Sequence, residues 1–293
     1  MDFPNEILLV SQHSKISSEG LYEKYKDKIP KLFCNYSIHQ LYEKDSDIFF
    51  TYSNYQQSSN KNAMFVYQMK KTSSSKIKRT LDKWVSGVGT GRYQPGNYVD
   101  DLDNSFSISE NFGIQQVKTE IYKFIDVLLK QKRIKNCLEI GLGAYGSTHF
   151  LWRLMFKKTI TIEHQKHRVQ RFTENMNKFH KKFVLNDLKS RFIFGSSHDT
   201  SSVEKVDKVL NGEKLDLLFI DGDHTYKSVL CDWLLYKNFV AKGGIIAFHD
   251  CVANDNDFGV PKFLKKIKSF DSSIKLRKIV KSKNFGIAYY YKQ

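Results

Sequence analysis

The sequence contains no run of about 18 or more apolar residues, so a membrane-spanning helix is not expected. Its four cysteines, Cys34, Cys137, Cys231 and Cys251, are scattered and form no CxxC pair. Neither a structural zinc site nor a disulfide framework follows from that spacing, and free thiols of a reducing compartment are the expectation. The opening MDFPNEILLVSQHSK places acids, not bases, before a short apolar run. That is the reverse of a secretory leader, and a cytoplasmic location is expected. Acidic residues are also in short supply: 31 against 47 lysines and arginines, a net charge of +16. Residues 1–110 are nearly neutral, so the excess lies later, in KK (157–158), KHR (166–168), HKK (180–182) and KFLKKIK (262–268). A basic surface concentrates anionic partners such as nucleic acid, phosphorylated sugars or membranes. Aromatic residues do not interleave with these runs as a base-stacking platform requires, which favours solvated lysine-rich helix faces.

What is present is enough apolar material, 41%, for a core. The first 110 residues read as a separate N-terminal extension of unassigned fold, a candidate lid or substrate region. They hold polar stretches such as TYSNYQQSSNKN (51–62) and KKTSSSKIKR (70–79) with weak periodicity, and a glycine-rich loop, GVGTGRYQPGN (87–97). Residues 111–293 are regular. Apolar spacing predicts helices over 114–129, 147–156, 166–179, 202–210, 226–240 and 260–270, the 226–240 helix being ended by Gly243-Gly244. Strands are predicted over 136–141, 159–164, 191–196, 215–221, 245–250, 274–280 and 285–292. Alternation of this kind gives an α/β, Rossmann-like, doubly wound, mostly parallel seven-stranded sheet. The short SKN link before the last strand is too brief for a crossover, so that strand is antiparallel.

Ligands in such sheets bind beyond the carboxyl ends of the strands. The residues there are Glu139, Glu163, Gly195-Ser196, Asp221 and His249-Asp250. Gly141, Gly143 and Gly146 form G-x-G-x-x-G between a strand and a helix, a turn that lets a ligand approach the backbone closely. Glu163 follows about 20 residues on, where a carboxylate can accept from a ribose diol. To this point a dinucleotide fits as well as any ligand. Glu139 tilts the balance, because a carboxylate there opposes a pyrophosphate and suits an ammonium. Downstream, IDGDHTY (220–226) offers Asp221, Asp223 and His224, and AFHD (247–250) offers His249 and Asp250. Carboxylates with imidazole make a site suited to Mg²⁺ or a similar divalent cation. Helix capping by Asp223 or Thr225 is the plainer alternative for a single such residue.

LEIGLGAYGST (138–148), the acid of TIEH (161–164), LLFIDGDHTY (217–226) and GGIIAFHD (243–250) come in an order that resembles class I S-adenosylmethionine-dependent methyltransferases over about residues 112–291. Within that class the chain resembles the branch of macrocin O-methyltransferase, the aminocoumarin sugar O-methyltransferases and the cephalosporin hydroxylase-like proteins. The resemblance implies a cofactor, S-adenosylmethionine, with Glu139, Gly141 and Gly143 at its methionyl end, Glu163 at its ribose, and Gly146 and Ser147 also among the residues that bind it. Ser196, with Ser197 and Asp199 nearby, would lie by the adenine. It implies that Asp221 both borders the donor and joins His249 and Asp250 as metal ligands, and that Asp223 is the catalytic base. His249 stands where the metal-dependent pattern more often has Asp. The implied reaction is methyl transfer to a hydroxyl of a small molecule, a sugar or vicinal diol, with Mg²⁺ or a similar ion assisting; a homo-oligomer is compatible with it. A nucleic-acid methyltransferase or binder and a nicotinamide-dependent oxidoreductase are the rival readings.

Overall fold

The computed structural model describes residues 36–44, 47–54, 65–69, 74–88, 97–99, 112–131, 133–179, 189–252 and 259–293. Contacts divide the chain into two units, Met1–Ser73 and Ser74–Gln293. The first contains an antiparallel three-stranded sheet of β1 (Tyr36–Lys44), β2 (Asp47–Asn54) and β3 (Phe65–Met69), in that order.

The second unit is built on a seven-stranded sheet. Its strands are β6 (Asn136–Ile140), β7 (Lys158–Glu163), β8 (Ser190–Phe194), β9 (Leu215–Ile220), β10 (Val240–Phe248), β11 (Arg277–Ile279) and β12 (Ile287–Tyr291), in the order β11-β12-β10-β9-β6-β7-β8. Strands β6 to β10 pair in parallel, and β12 is antiparallel to both β10 and β11. This is the doubly wound architecture expected from the alternation. The chain winds from β6 outward to β7 and β8, then returns to β9 and β10 on the other side of β6. The carboxyl ends of β6 and β9 therefore flank the switch point, where such sheets hold ligands.

The sheet has a core on each face. On one, α1 (Ser74–Gly87), α2 (Lys118–Leu128), α3 (Ser147–Met155) and α4 (Lys166–Phe179) bury Trp84, Phe124, Trp152 and Phe172 with Phe219 of β9. On the other, α5 (Thr200–Leu210), α6 (Tyr226–Tyr236) and α7 (Val260–Phe270) bury Val206, Trp233 and Phe263 with Phe248 of β10. The central strands β6 and β9 are buried along their whole length, as strands covered on both faces must be.

Three expectations are corrected. The segment 114–129 is not one helix: Phe112–Val117 is a strand, β5, paired in parallel with β4 (Asn97–Val99), and the helix begins at Lys118. Ile114 and Val117 are three apart, a helical spacing, but both are β-branched and suit a strand as well, and in the extended form Gln116 also reaches Asp221. The helix after β9 ends at Tyr236, followed by a 3-10 turn over Lys237–Phe239, and Gly243-Gly244 lie inside β10. Gly243 has a φ of 79° where the pairing with β9 shifts register, a bulge that a glycine tolerates. Finally, the polar stretch before residue 90 contains α1, whose buried Ile77, Leu81, Trp84 and Val85 recur at helical intervals.

Candidate active site at the switch point

The glycine turn leaves β6 at Gly141 and enters α3 at Ser147. Gly141 has a φ of 89°, and a Cβ built there would lie 2.1 Å from the Asp221 carbonyl oxygen. Only glycine allows β6 and β9 to release their ends so close together. Gly146, with a φ of 67°, packs against Phe172 of α4, whose ring a Cβ would meet at 2.6 Å. Gly143 faces the Gln115 amide across the turn. Around the turn lies a small solvent-open cleft, lined by Gly113 to Gln116, Leu142 to Thr148 and Asp221.

Several expected donor-site residues are already engaged by the protein. Glu139 is fully buried; its Oε1 accepts from Trp152 Nε1 at 3.1 Å and its Oε2 from Thr161 Oγ1 at 2.7 Å. Burial pushes its carboxyl up to about 8, against the hydrogen bonds from Thr148, Thr161 and Trp152 and with the help of the nearby Asp221 charge. Beneath it, the buried His149 joins Thr161 (2.7 Å) to Ser190 (2.9 Å). The Ser147 hydroxyl receives Trp84 Nε1 at 2.9 Å and donates to the Gly113 carbonyl, which ties α1 and β5 to the start of α3. Glu163 accepts from the Leu142 amide at 3.0 Å and from the Gln165 amide at 2.8 Å, so it braces the turn from the next strand. Ser196 is exposed and its hydroxyl accepts from the His198 amide at 3.2 Å. Arg92 and Tyr93 of the glycine-rich loop lie outside the described residues, as does His180.

Four chemistry-bearing residues meet where β9 and β10 end. His249 Nδ1 lies 3.1 Å from Asp221 Oδ1 and 3.2 Å from Asp250 Oδ1. His224 Nε2 lies 3.1 Å from Asp250 Oδ2 and 3.7 Å from Asp221 Oδ1. Burial works against the His249 cation, but Asp250 and then Asp221 outweigh it and hold the imidazole protonated well above its usual range. His224 is likewise raised: burial opposes, while Asp221 and Asp250 prevail. For Asp221, burial would raise the carboxyl, and the charges and hydrogen bonds of His249 and His224 hold it well below the usual range. Asp250 has a φ of 56°, uncommon for a residue with a side chain and a form of strain that gathers at functional sites.

Asp221, His224 and Asp250 each offer a ligand atom within 4.8 Å of the others, which is close enough for one cation to touch all three. His249, expected from the sequence as a ligand, turns its Nδ1 to the same carboxylates, and its Nε2 is buried with no partner among the described residues. Asp223 is exposed and tied to the start of α6: Thr225 N donates to it at 3.1 Å and Ser228 Oγ at 2.7 Å. Burial would raise its carboxyl, and the Ser228 and Thr225 hydrogen bonds with the His224 charge together bring it below the usual value.

Two residues escaped the sequence reading. Gln116 of β5 is 1% exposed and its Nε2 donates to Asp221 Oδ2 at 2.9 Å. Glu120 of α2 is equally buried and accepts from the amides of Lys281 (2.6 Å), Ser282 (2.8 Å) and Gly286 (2.9 Å). It holds the β11–β12 turn, whose Phe285 stacks on His249 at 6.1 Å. The local signal, IQQVKTE, was apolar spacing alone, and the pairing of Gln116 with a residue 105 positions away leaves no trace in it.

Residues 138–251, less than half the chain, match a family model described as a methyltransferase domain. An uncharacterized protein of Acanthamoeba polyphaga mimivirus is 40% identical over 77 residues, 26% of this chain. The match spans about a third (34%) of that relative's length. Among solved structures, an rRNA methylase from Streptococcus thermophilus is similar over 59% of this chain and 96% of its own, at 11% identity and a TM-score of 0.45. The O-methyltransferase TomG from Streptomyces achromogenes, involved in tomaymycin synthesis and solved with S-adenosylmethionine, is similar over 58% of this chain and 77% of its own, at 13% identity and a TM-score of 0.45. At these scores neither structure bears on substrate or activity.

Proposed function

We propose that the chain transfers a methyl group from S-adenosylmethionine to a hydroxyl oxygen of a small molecule, a sugar or another vicinal diol. The observation that carries this reading is the meeting of the glycine turn with Asp221 at the switch point, inside the region that matches a methyltransferase domain. The donor's methionyl end is assigned to the turn from Gly141 and the cleft of Leu142 to Ser147 that it opens, where the first amides of α3 and the helix dipole favour a carboxylate. Glu163 would face the ribose while its oxygens keep the turn in shape. The segment Ser196 to Asp199, at the end of β8, suits the adenine. Residues 1–110 are proposed to choose the acceptor.

The sulfonium is already activated, so the protein must align an acceptor oxygen with the methyl carbon and remove one proton. Alignment supplies about 7–11 kcal/mol of such a barrier. Asp223, ionised at neutral pH and steadied by Ser228 and Thr225, is the proposed base, a role worth about 10²–10⁴-fold. Asp221, Asp250 and His224 would hold a divalent cation, with His249 behind them fixing both carboxylates. Such an ion, when bound, orients two neighbouring hydroxyls and lowers the pKa of the one that attacks. The mixed oxygen and nitrogen donor set admits manganese as readily as magnesium.

The test is incubation of the full chain with methyl-labelled S-adenosylmethionine and a panel of sugars, with products read by mass spectrometry. A labelled methyl ether supports the proposal. Turnover confined to amine acceptors would contradict the oxygen assignment.

A further inference from the structure

We infer that Gln116 recognises the ammonium of the methyl donor's amino-acid end. This inference rests on the donor reading above and adds a residue that the glycine turn does not contain.

Strand β5 runs along the turn, since a Cβ on Gly143 would stand 3.3 Å from Gln115 Oε1. Gln116 and Asp221 line the same cleft as the turn. The orientation of the Gln116 amide is fixed by chemistry. The carboxylate oxygen of Asp221 accepts, so the amide nitrogen is the group that donates to it at 2.9 Å. The amide oxygen then faces away from Asp221. It is buried and has no hydrogen-bond partner among the described residues. A buried acceptor without a donor is costly, and native proteins rarely leave one unless a ligand or water completes it.

The cleft also selects the donor. One wall offers backbone amides at the start of α3, which suit a carboxylate. The same lining includes Gln116 and Asp221, an amide oxygen and a carboxylate of the kind that suit a cation. A zwitterion spans the two. Glu139, the acid expected to meet the ammonium, is sealed below the cleft with an oxygen on Trp152 and another on Thr161. Gln116 therefore supplies the uncommitted acceptor that Glu139 does not.

The experiment is isothermal titration of the full chain with S-adenosylhomocysteine and with its deamino analogue, which lacks only the ammonium. The wild type is expected to prefer S-adenosylhomocysteine by about 10–100-fold, the range of one hydrogen bond to a charged group. In Gln116→Leu the preference is expected to fall to within about 3-fold, with the deamino analogue bound nearly as before. If both ligands weaken together and the preference persists, Gln116 merely braces Asp221 and the inference is wrong. The same holds if the wild type binds both ligands equally, since a water then fills the amide oxygen. A wild type that binds neither ligand overturns the donor reading itself, a result distinct from a preserved preference. Thermal melting checks the fold, and if the Leu variant does not melt cooperatively, Gln116→Met is read by the same two ligands.

Discussion

Trp152 Nε1 donates to Glu139 Oε1 at 3.1 Å, and neither side chain is exposed. The strand-end acid is thereby locked beneath the cleft, with Thr161 on its other oxygen. Its carboxyl, pushed up to about 8 by burial, holds a proton in the folded state that it releases near 4.5 in the unfolded chain.

A pH dependence follows. Between about pH 4.5 and about pH 8 the folded state binds the extra proton, so stability falls as pH rises through that window. Glu139→Gln cannot titrate. The wild type is expected to lose stability relative to this variant as pH rises from about 5 to about 8, and to run parallel to it above. Melting temperatures of both proteins across that range check it. Parallel curves throughout would mean that Glu139 is ionised in the fold.

Gly141→Ala tests the approach of β6 to β9. Its Cβ would meet the Asp221 carbonyl at 2.1 Å with φ at 89°, so backbone must move. The expected cost is about 3–5 kcal/mol, at the severe end for single substitutions, with loss of donor binding. Denaturant unfolding and ligand titration measure the two effects.

Removal of the cation partners separates ligands from supports. His224→Ala is expected to weaken Mn²⁺ binding by more than about 100-fold, and His249→Gln by about 10–100-fold, the range of an outer partner. Binding should also strengthen as pH rises, because His224 must lose its proton to take a metal, and Asp221 and Asp250 hold that proton on. Calorimetric titration with Mn²⁺ and Mg²⁺ reads each. An equal loss in both variants would restore His249 as a direct ligand.

Glu120→Ala should free the β11–β12 turn. Three amides and the Ser282 hydroxyl lose one buried acceptor group, at a cost of about 2–4 kcal/mol. Hydrogen exchange is expected to speed up at Lys281 to Gly286 before it does in β6 or β9.

The order of strands and helices was legible because strands buried on both faces are continuously apolar and the covering helices carry periodic stripes. The short link before β12 likewise carried its antiparallel sense. The start of α2 was not legible, since Ile114 and Val117 suit helix and strand alike, and pairing with β4 decided between them. Helix α1 hides its stripe of Ile77, Leu81, Trp84 and Val85 among lysines and serines. At the site, the sequence brought Asp221, Asp223, His224, His249 and Asp250 to two neighbouring strand ends. It could not say which nitrogen faces which carboxylate. Nor could it say that Glu139 points into the core, because a strand residue's face depends on what packs against it.

The central claim is that the switch-point cleft binds a methyl donor. Isothermal titration of the full chain with S-adenosylmethionine tests it most directly. The account predicts saturable one-site binding that Gly141→Ala abolishes. No binding at millimolar ligand to a cooperatively folded wild type would contradict it.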